Sequence, residues 1–340
     1  MSYQANATGT TDSGRFVQSS YGFPGNFELV VFESGDKLAH YYRNNDSSQQ
    51  PWSRTATISN SASSSGAILQ STFGIISHPG NFEVLVLEGT NIVHYFRDNS
   101  NGEWSRTAIV STKATGAPAF IQSDFVGTPG QPGNFEAVIL EGNNLVHYYR
   151  DNTTSGFPWH PTVVITNKAT GPGSIIQSTY KGSGSSHGNF EVVVPEGNDL
   201  VHYWRDNAAS GFPWNRTVVI SNKVTGPASL IQSSYLSTEP GSQPNFELVA
   251  IEGKELVHYW RDNSSAGSEK WNFGATIDGN AKGPGSLIQG NYGRPNNPGN
   301  FEVVVVDETN SELVHWWRDN TNGGNQKWTE SVVIATNVVG

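Results

Sequence analysis

The 340-residue sequence contains no cysteine and one methionine, and only 15% of its side chains are charged. Without cysteine there are no disulfides, no thiolate catalysis and no zinc–sulfur sites. Basic residues are also scarce: 20 Lys and Arg stand against 30 Asp and Glu, a formal net charge of −10. Such a surface has no excess of cations to neutralise phosphates, so neither nucleic acid nor membrane insertion is expected. No apolar run approaches the roughly 18 residues that a membrane helix needs. Residues 1–14 show no basic stretch leading into an apolar one, so no classical signal peptide is expected. The expectation is a soluble chain, cytoplasmic or released by a non-classical route.

What the sequence does have is repetition. Asn-Phe-Glu begins at Asn26, Asn81, Asn134, Asn189, Asn245 and Asn300, at spacings of 55, 53, 55, 56 and 55. Three further landmarks keep a fixed order around it. A glutamine precedes it (Gln18, Gln70, Gln122, Gln177, Gln232, Gln289), a histidine follows (His40, His94, His147, His202, His258, His315), and a tryptophan closes the unit. The repeats run approximately 14–60, 66–111, 117–166, 172–221, 227–277 and 284–336, within a single domain over 1–340.

Within each unit, runs of four to seven Val, Ile, Tyr and Trp residues are separated by Gly, Pro, Asn and Ser clusters, and no helical period is sustained. In the fourth unit this predicts strands over 174–180, 189–196, 199–205 and 214–221. Four-stranded repeats of this length are the signature of propeller blades. The predicted fold is all-β: a six-bladed β-propeller with four antiparallel strands per blade, closing by packing the sixth blade on the first. A clasping strand from residues 1–13 is left open.

Gly197-Asn198 reads as a two-residue hairpin turn, which pairs Glu191 with Trp204, Phe190 with Arg205 and Val193 with His202. Longer turns in the first and sixth units restore the register, with Glu28 opposite Tyr42 and Glu302 opposite Trp317. By alternation one face of a blade carries Glu191, His202 and Trp204, and the other Phe190, Tyr203 and Arg205. Neighbouring blades then bring a carboxylate, an imidazole and an aromatic ring against a guanidinium. These groups suit either a buried network, in which charges are paired, or a ligand site. The loop ends bearing Asn189, Arg205-Asp206-Asn207 and Trp214 gather on one rim.

Aromatic rings beside amide, carboxylate and guanidinium groups are the means of holding a neutral sugar, and weak sites repeated in one chain gain from clustered ligands. A glycoside hydrolase is the principal alternative. It needs two acids at one place, whereas the prominent acids here occur once per blade, and no sialidase-type box, Gly-x-Ser-x-Gly elbow or His-Glu-x-x-His is present. A protein-interaction propeller ranks third. No catalytic residues, no metal site and no cofactor are expected.

Through Asn-Phe-Glu-Val-Val-Val, Leu-Val-His-Tyr-Trp-Arg-Asp-Asn and the following Trp, the chain resembles the Photorhabdus-type bacterial propeller lectins, over roughly residues 14–336. Those relatives have seven blades and bind fucose, O-methylated sugars or galactosides between them. The resemblance implies a non-enzymatic, multivalent lectin for fucosides or galactosides, with homo-oligomerisation open. It implies sugar contacts at Trp52, Trp104, Trp159, Trp214, Trp271 and Trp328; at Arg43, Arg97, Arg150, Arg205, Arg261 and Arg318; and at Glu28, Glu83, Glu136, Glu191, Glu247 and Glu302. The sites are not expected to be equal: the second unit has Phe96 where others have Tyr or Trp, and the third follows its Trp with His160-Pro161.

Overall fold

A computed structural model describes residues 15–74, 79–126, 131–235, 241–264, 270–294, 297–309, 311–321, 324 and 326–339. The suggested clasp from residues 1–13 lies outside them. The regular structure is six four-stranded antiparallel sheets, each drawn in sequence order from one repeat. The chain divides into two compact units, Met1–Lys168 with the first three sheets and Ala169–Gly340 with the last three. Among the described residues no helix is long and apolar enough to cross a membrane.

In the fourth repeat the strands are Ser174–Gln177, Phe190–Glu196, Asp199–Arg205 and Trp214–Ser221. The first strand ends three residues earlier than its composition suggests, because the returning loop crosses it. The Ser178 N–H donates to the Asn189 carbonyl at 2.8 Å, and a Cβ on Gly188 would lie 1.8 Å from the Ser178 oxygen. The central register is the one the hairpin turn dictates: Glu191 faces Trp204, Phe190 faces Arg205 and Val193 faces His202. Gly197 has φ 66°, a backbone that glycine supplies at the first position of such a turn. Glu28 faces Tyr42 and Glu302 faces Trp317 despite their longer turns.

Apolar residues on both faces bury the second strand from Phe190 to Pro195. The fourth strand is the outer edge and stays open, with Val218 and Val219 over 40% exposed. Within each unit the core lies between neighbouring sheets: Leu85 and Ile92 pack with Phe120 and Ile139, and Val193 and Leu200 with Leu230 and Leu248.

Candidate functional site

The first Asn of Asn-Phe-Glu holds the next loop. The Asn207 N–H donates to Asn189 Oδ1 at 3.2 Å, and Asn207 Nδ2 donates to the Gly188 carbonyl. Arg205 Nε in turn donates to Asn207 Oδ1 at 2.6 Å, while its guanidinium lies 4.2 Å over Phe190. The arrangement recurs at Arg43, Asn45 and Asn26, and at Arg150, Asn152 and Asn134. Asn189, the Arg-Asp-Asn run and Trp214, which pairs with Arg205 across the sheet, therefore meet on one rim.

Below the rim the glutamates are buried, each 2–3% exposed. Glu191 accepts from Ser178 Oγ at 2.9 Å and from His202 Nε2 at 2.9 Å. Glu83 is held in the same way by Ser71 and His94. With Nε2–H donated to the carboxylate, the imidazole presents Nδ1 as an acceptor. On His94 that atom meets Thr107 Oγ1 at 3.1 Å and Arg150 Nη1, from the next repeat, at 3.3 Å. A shift in the pairing of third and fourth strands brings the threonine there, its hydroxyl 3.0 Å from the His94 carbonyl. Burial lowers the His94 pKa, and the Arg150 charge adds to that against the pull of Glu83. Burial likewise brings Arg150 down to about 10, opposed by Glu83. Carboxylate, neutral imidazole and guanidinium thus form one chain across the cleft, satisfying charges that would be costly to bury singly. This brings together the groups the register predicts, but as a mutually satisfied network beneath the rim.

The predicted tryptophans wedge into the same clefts. Trp104 lies 5.5 Å from His40, Trp159 5.9 Å from His94, Trp271 6.0 Å from His202 and Trp328 5.7 Å from His258. All are partly buried except Trp271, which is 9% exposed and belongs to the core. The arginines differ more: Arg43, Arg150, Arg205 and Arg261 are buried, whereas Arg97 and Arg318 are half-buried.

Sequence reasoning overlooked an aromatic residue three places after each landmark glutamine: Tyr21, Phe73, Phe125, Tyr180, Tyr235 and Tyr292. The constant offset was the available signal. Tyr180 and Phe73 cover guanidinium groups of the following repeat, Arg261 at 5.6 Å and Arg150 at 5.5 Å. The glutamines are inter-repeat links: Gln122 Oε1 accepts the Thr72 N–H at 2.8 Å while Nε2 donates to the Gly133 carbonyl.

Between the second and third repeats this construction leaves a rim cavity of about 450 Å³, lined by Phe73, Gln131, Pro132, Asn152, the hydroxyl run 153–155 and Phe157. Phe73 and Phe157 meet edge to face at 5.8 Å. Beside it, hydroxyls of Thr153 and Thr154 hold the Asp151 carboxyl below its usual pKa. The lining offers a pair of phenyl rings alongside amide and hydroxyl groups, a surface able to take a ligand with an apolar face and a polar edge.

No family model matches the sequence, and no curated protein matches it. Solved structures do match in fold. A mutant of the Aleuria aurantia lectin in complex with Fucα1-6GlcNAc is 13% identical, with 96% of each chain covered and a TM-score of 0.64. The same lectin with α-methyl-L-fucoside gives 13%, 96% of each chain and 0.62. A third structure, described as a fungal lectin with a six-bladed β-propeller fold, gives 14%, 92% of each chain and 0.58. The chain has that fold: a six-bladed β-propeller with four antiparallel strands per blade.

Proposed function

We propose that this chain is a multivalent carbohydrate-binding protein, without enzymatic activity, that takes fucose- or galactose-type glycans at rim sites between adjacent blades. The observation that carries this reading is the cavity lined by the paired rings of Phe73 and Phe157 together with Asn152, Thr153 and Gln131. Pyranose C–H faces stack on phenyl rings while amides and hydroxyls bond the sugar hydroxyls. The lining presents no pair of carboxylates of the kind glycoside hydrolysis uses. The repeat motif's resemblance to Photorhabdus-type propeller lectins and the fold shared with a fucose lectin favour the same reading.

In this proposal the tryptophans and arginines lie beneath the sites and support their lining, and Glu28, Glu83, Glu136, Glu191, Glu247 and Glu302 hold the histidines from below. A glycan array with the labelled chain, followed by titration calorimetry on the best monosaccharide, tests it. Selective binding with several equivalents per chain is the expected result. No binding to any glycan removes the reading.

A further inference from the structure

Among the described residues, the backbone two residues before the fourth-strand tryptophan turns through left-handed space in five repeats. Gln50, Gly102, Phe157, Phe212 and Gln326 occupy this position with φ of 44°, 82°, 47°, 48° and 50°. Glycine is the residue that such a conformation favours, and a bulky side chain there is uncommon. The second repeat, with a shorter loop, carries Gly102 there. The third and fourth repeats nevertheless carry phenylalanine, 43% and 45% exposed.

The turn does not require these rings. The turn is the same with glutamine: the N–H groups of Gln50, Phe157 and Phe212 each donate at 3.1 Å to the carbonyl three residues back. The arginine beneath is also held alike. Arg43, with Gln50 above it, reaches Asn45 at 2.7 Å and lies 4.2 Å over Phe27. Arg150 and Arg205 reach their asparagines at 2.6 Å and lie 4.2 Å over Phe135 and Phe190. All three arginines are buried. The phenylalanines add an aromatic face, 5.2 Å and 5.1 Å from the guanidinium carbons of Arg150 and Arg205; Phe157 also meets Phe73 edge to face and lines the rim cavity. A half-exposed phenyl kept in a cavity wall at a backbone position that disfavours it points to a ligand.

We infer that Phe157 is a specificity-determining residue: it makes the rim site between the second and third repeats select saccharides bearing an apolar substituent, such as an aryl or alkyl aglycone. This rests on the saccharide-binding reading above.

The test is titration calorimetry on the full chain with p-nitrophenyl α-L-fucopyranoside and p-nitrophenyl β-D-galactopyranoside, each against its free sugar, with a thermal melt of every variant. Wild type is expected to prefer the aryl form roughly tenfold at one site. Phe157→Gly removes that preference and leaves Tm within about 5 °C of wild type. Phe157→Gln gives a site that no longer distinguishes the aryl form. Variants that bind the aryl glycosides like wild type overturn the inference and leave saccharide binding intact. A fall in Tm of more than about 5 °C in the glycine variant makes the ring structural and also overturns it. A wild-type chain that binds neither sugar in either form overturns the saccharide reading and this inference together.

Discussion

Nδ1 of His94 lies 3.3 Å from Nη1 of Arg150, a residue 56 positions further along the chain. The guanidinium donates, so the imidazole accepts there and gives its own proton to Glu83 at 2.9 Å. One hydrogen-bonded line therefore ties a carboxylate in the second repeat to a cation in the third, directly beneath the rim cavity.

Breaking that line leaves a buried carboxylate without its cation. Arg150→Met is expected to destabilise the chain by about 3 kcal/mol. The Glu83→Gln, Arg150→Met pair should cost less than the sum of the two single changes. Denaturant unfolding of the three variants measures both quantities. Strict additivity would mean that the groups are not coupled.

The same contact sets a pH dependence. Burial and Arg150 hold the folded pKa of His94 below its ordinary value of 6.5. Above that pH the imidazole is neutral in both states and contributes nothing to the slope. As pH falls through 6.5 the unfolded chain takes up the proton first, so stability is lost towards acid. Thermal melts at pH 7.5, 6.5, 5.5 and 5.0 should show a falling Tm, and His94→Gln should flatten part of that slope even though it lowers Tm at neutral pH.

Gln122 is 2% exposed and bonded on both sides, to the Thr72 N–H and to the Gly133 carbonyl. Gln122→Ala leaves both partners unmatched and is expected to cost about 2 kcal/mol. Faster amide exchange at Thr72 than at Ser105 on the outer strand would identify the inter-repeat contact as the one lost.

Trp159 packs against His94 and Phe135 as well as standing below the rim. Its replacement by alanine opens a cavity between the second and third sheets, so Trp159→Ala should destabilise by about 3 kcal/mol. The residue that the resemblance implies as a sugar contact thus also has a packing role. Urea unfolding of Trp159→Ala beside Phe157→Gly separates the two roles: only the first should shift the midpoint.

Much of this was legible beforehand. The turn at Gly197-Asn198 and the two-residue alternation of a strand place Glu191, His202 and Trp204 on one face with no knowledge of the tertiary fold. The aromatic series Tyr21, Phe73, Tyr180 and Tyr235 repeats just as regularly, but it follows the first strand's last residue. Alternation carries no information about where such a loop residue points. Phe157 and Gln50 also look unrelated in sequence; a shared left-handed backbone makes them equivalent.

Local rules determined the repeat number, the strands, the hairpin register and the face on which each polar residue sits, because each depends on residues only a few positions apart or directly opposite in one sheet. The packing of neighbouring sheets decided the rest. It set which arginine reaches which histidine and lies beneath which ring of the preceding repeat, and where a cavity is left at the rim. These contacts join residues fifty or more positions apart, and whether the Glu83–His94 pair ends in solvent or on a cation is a matter of what the next sheet lays over it.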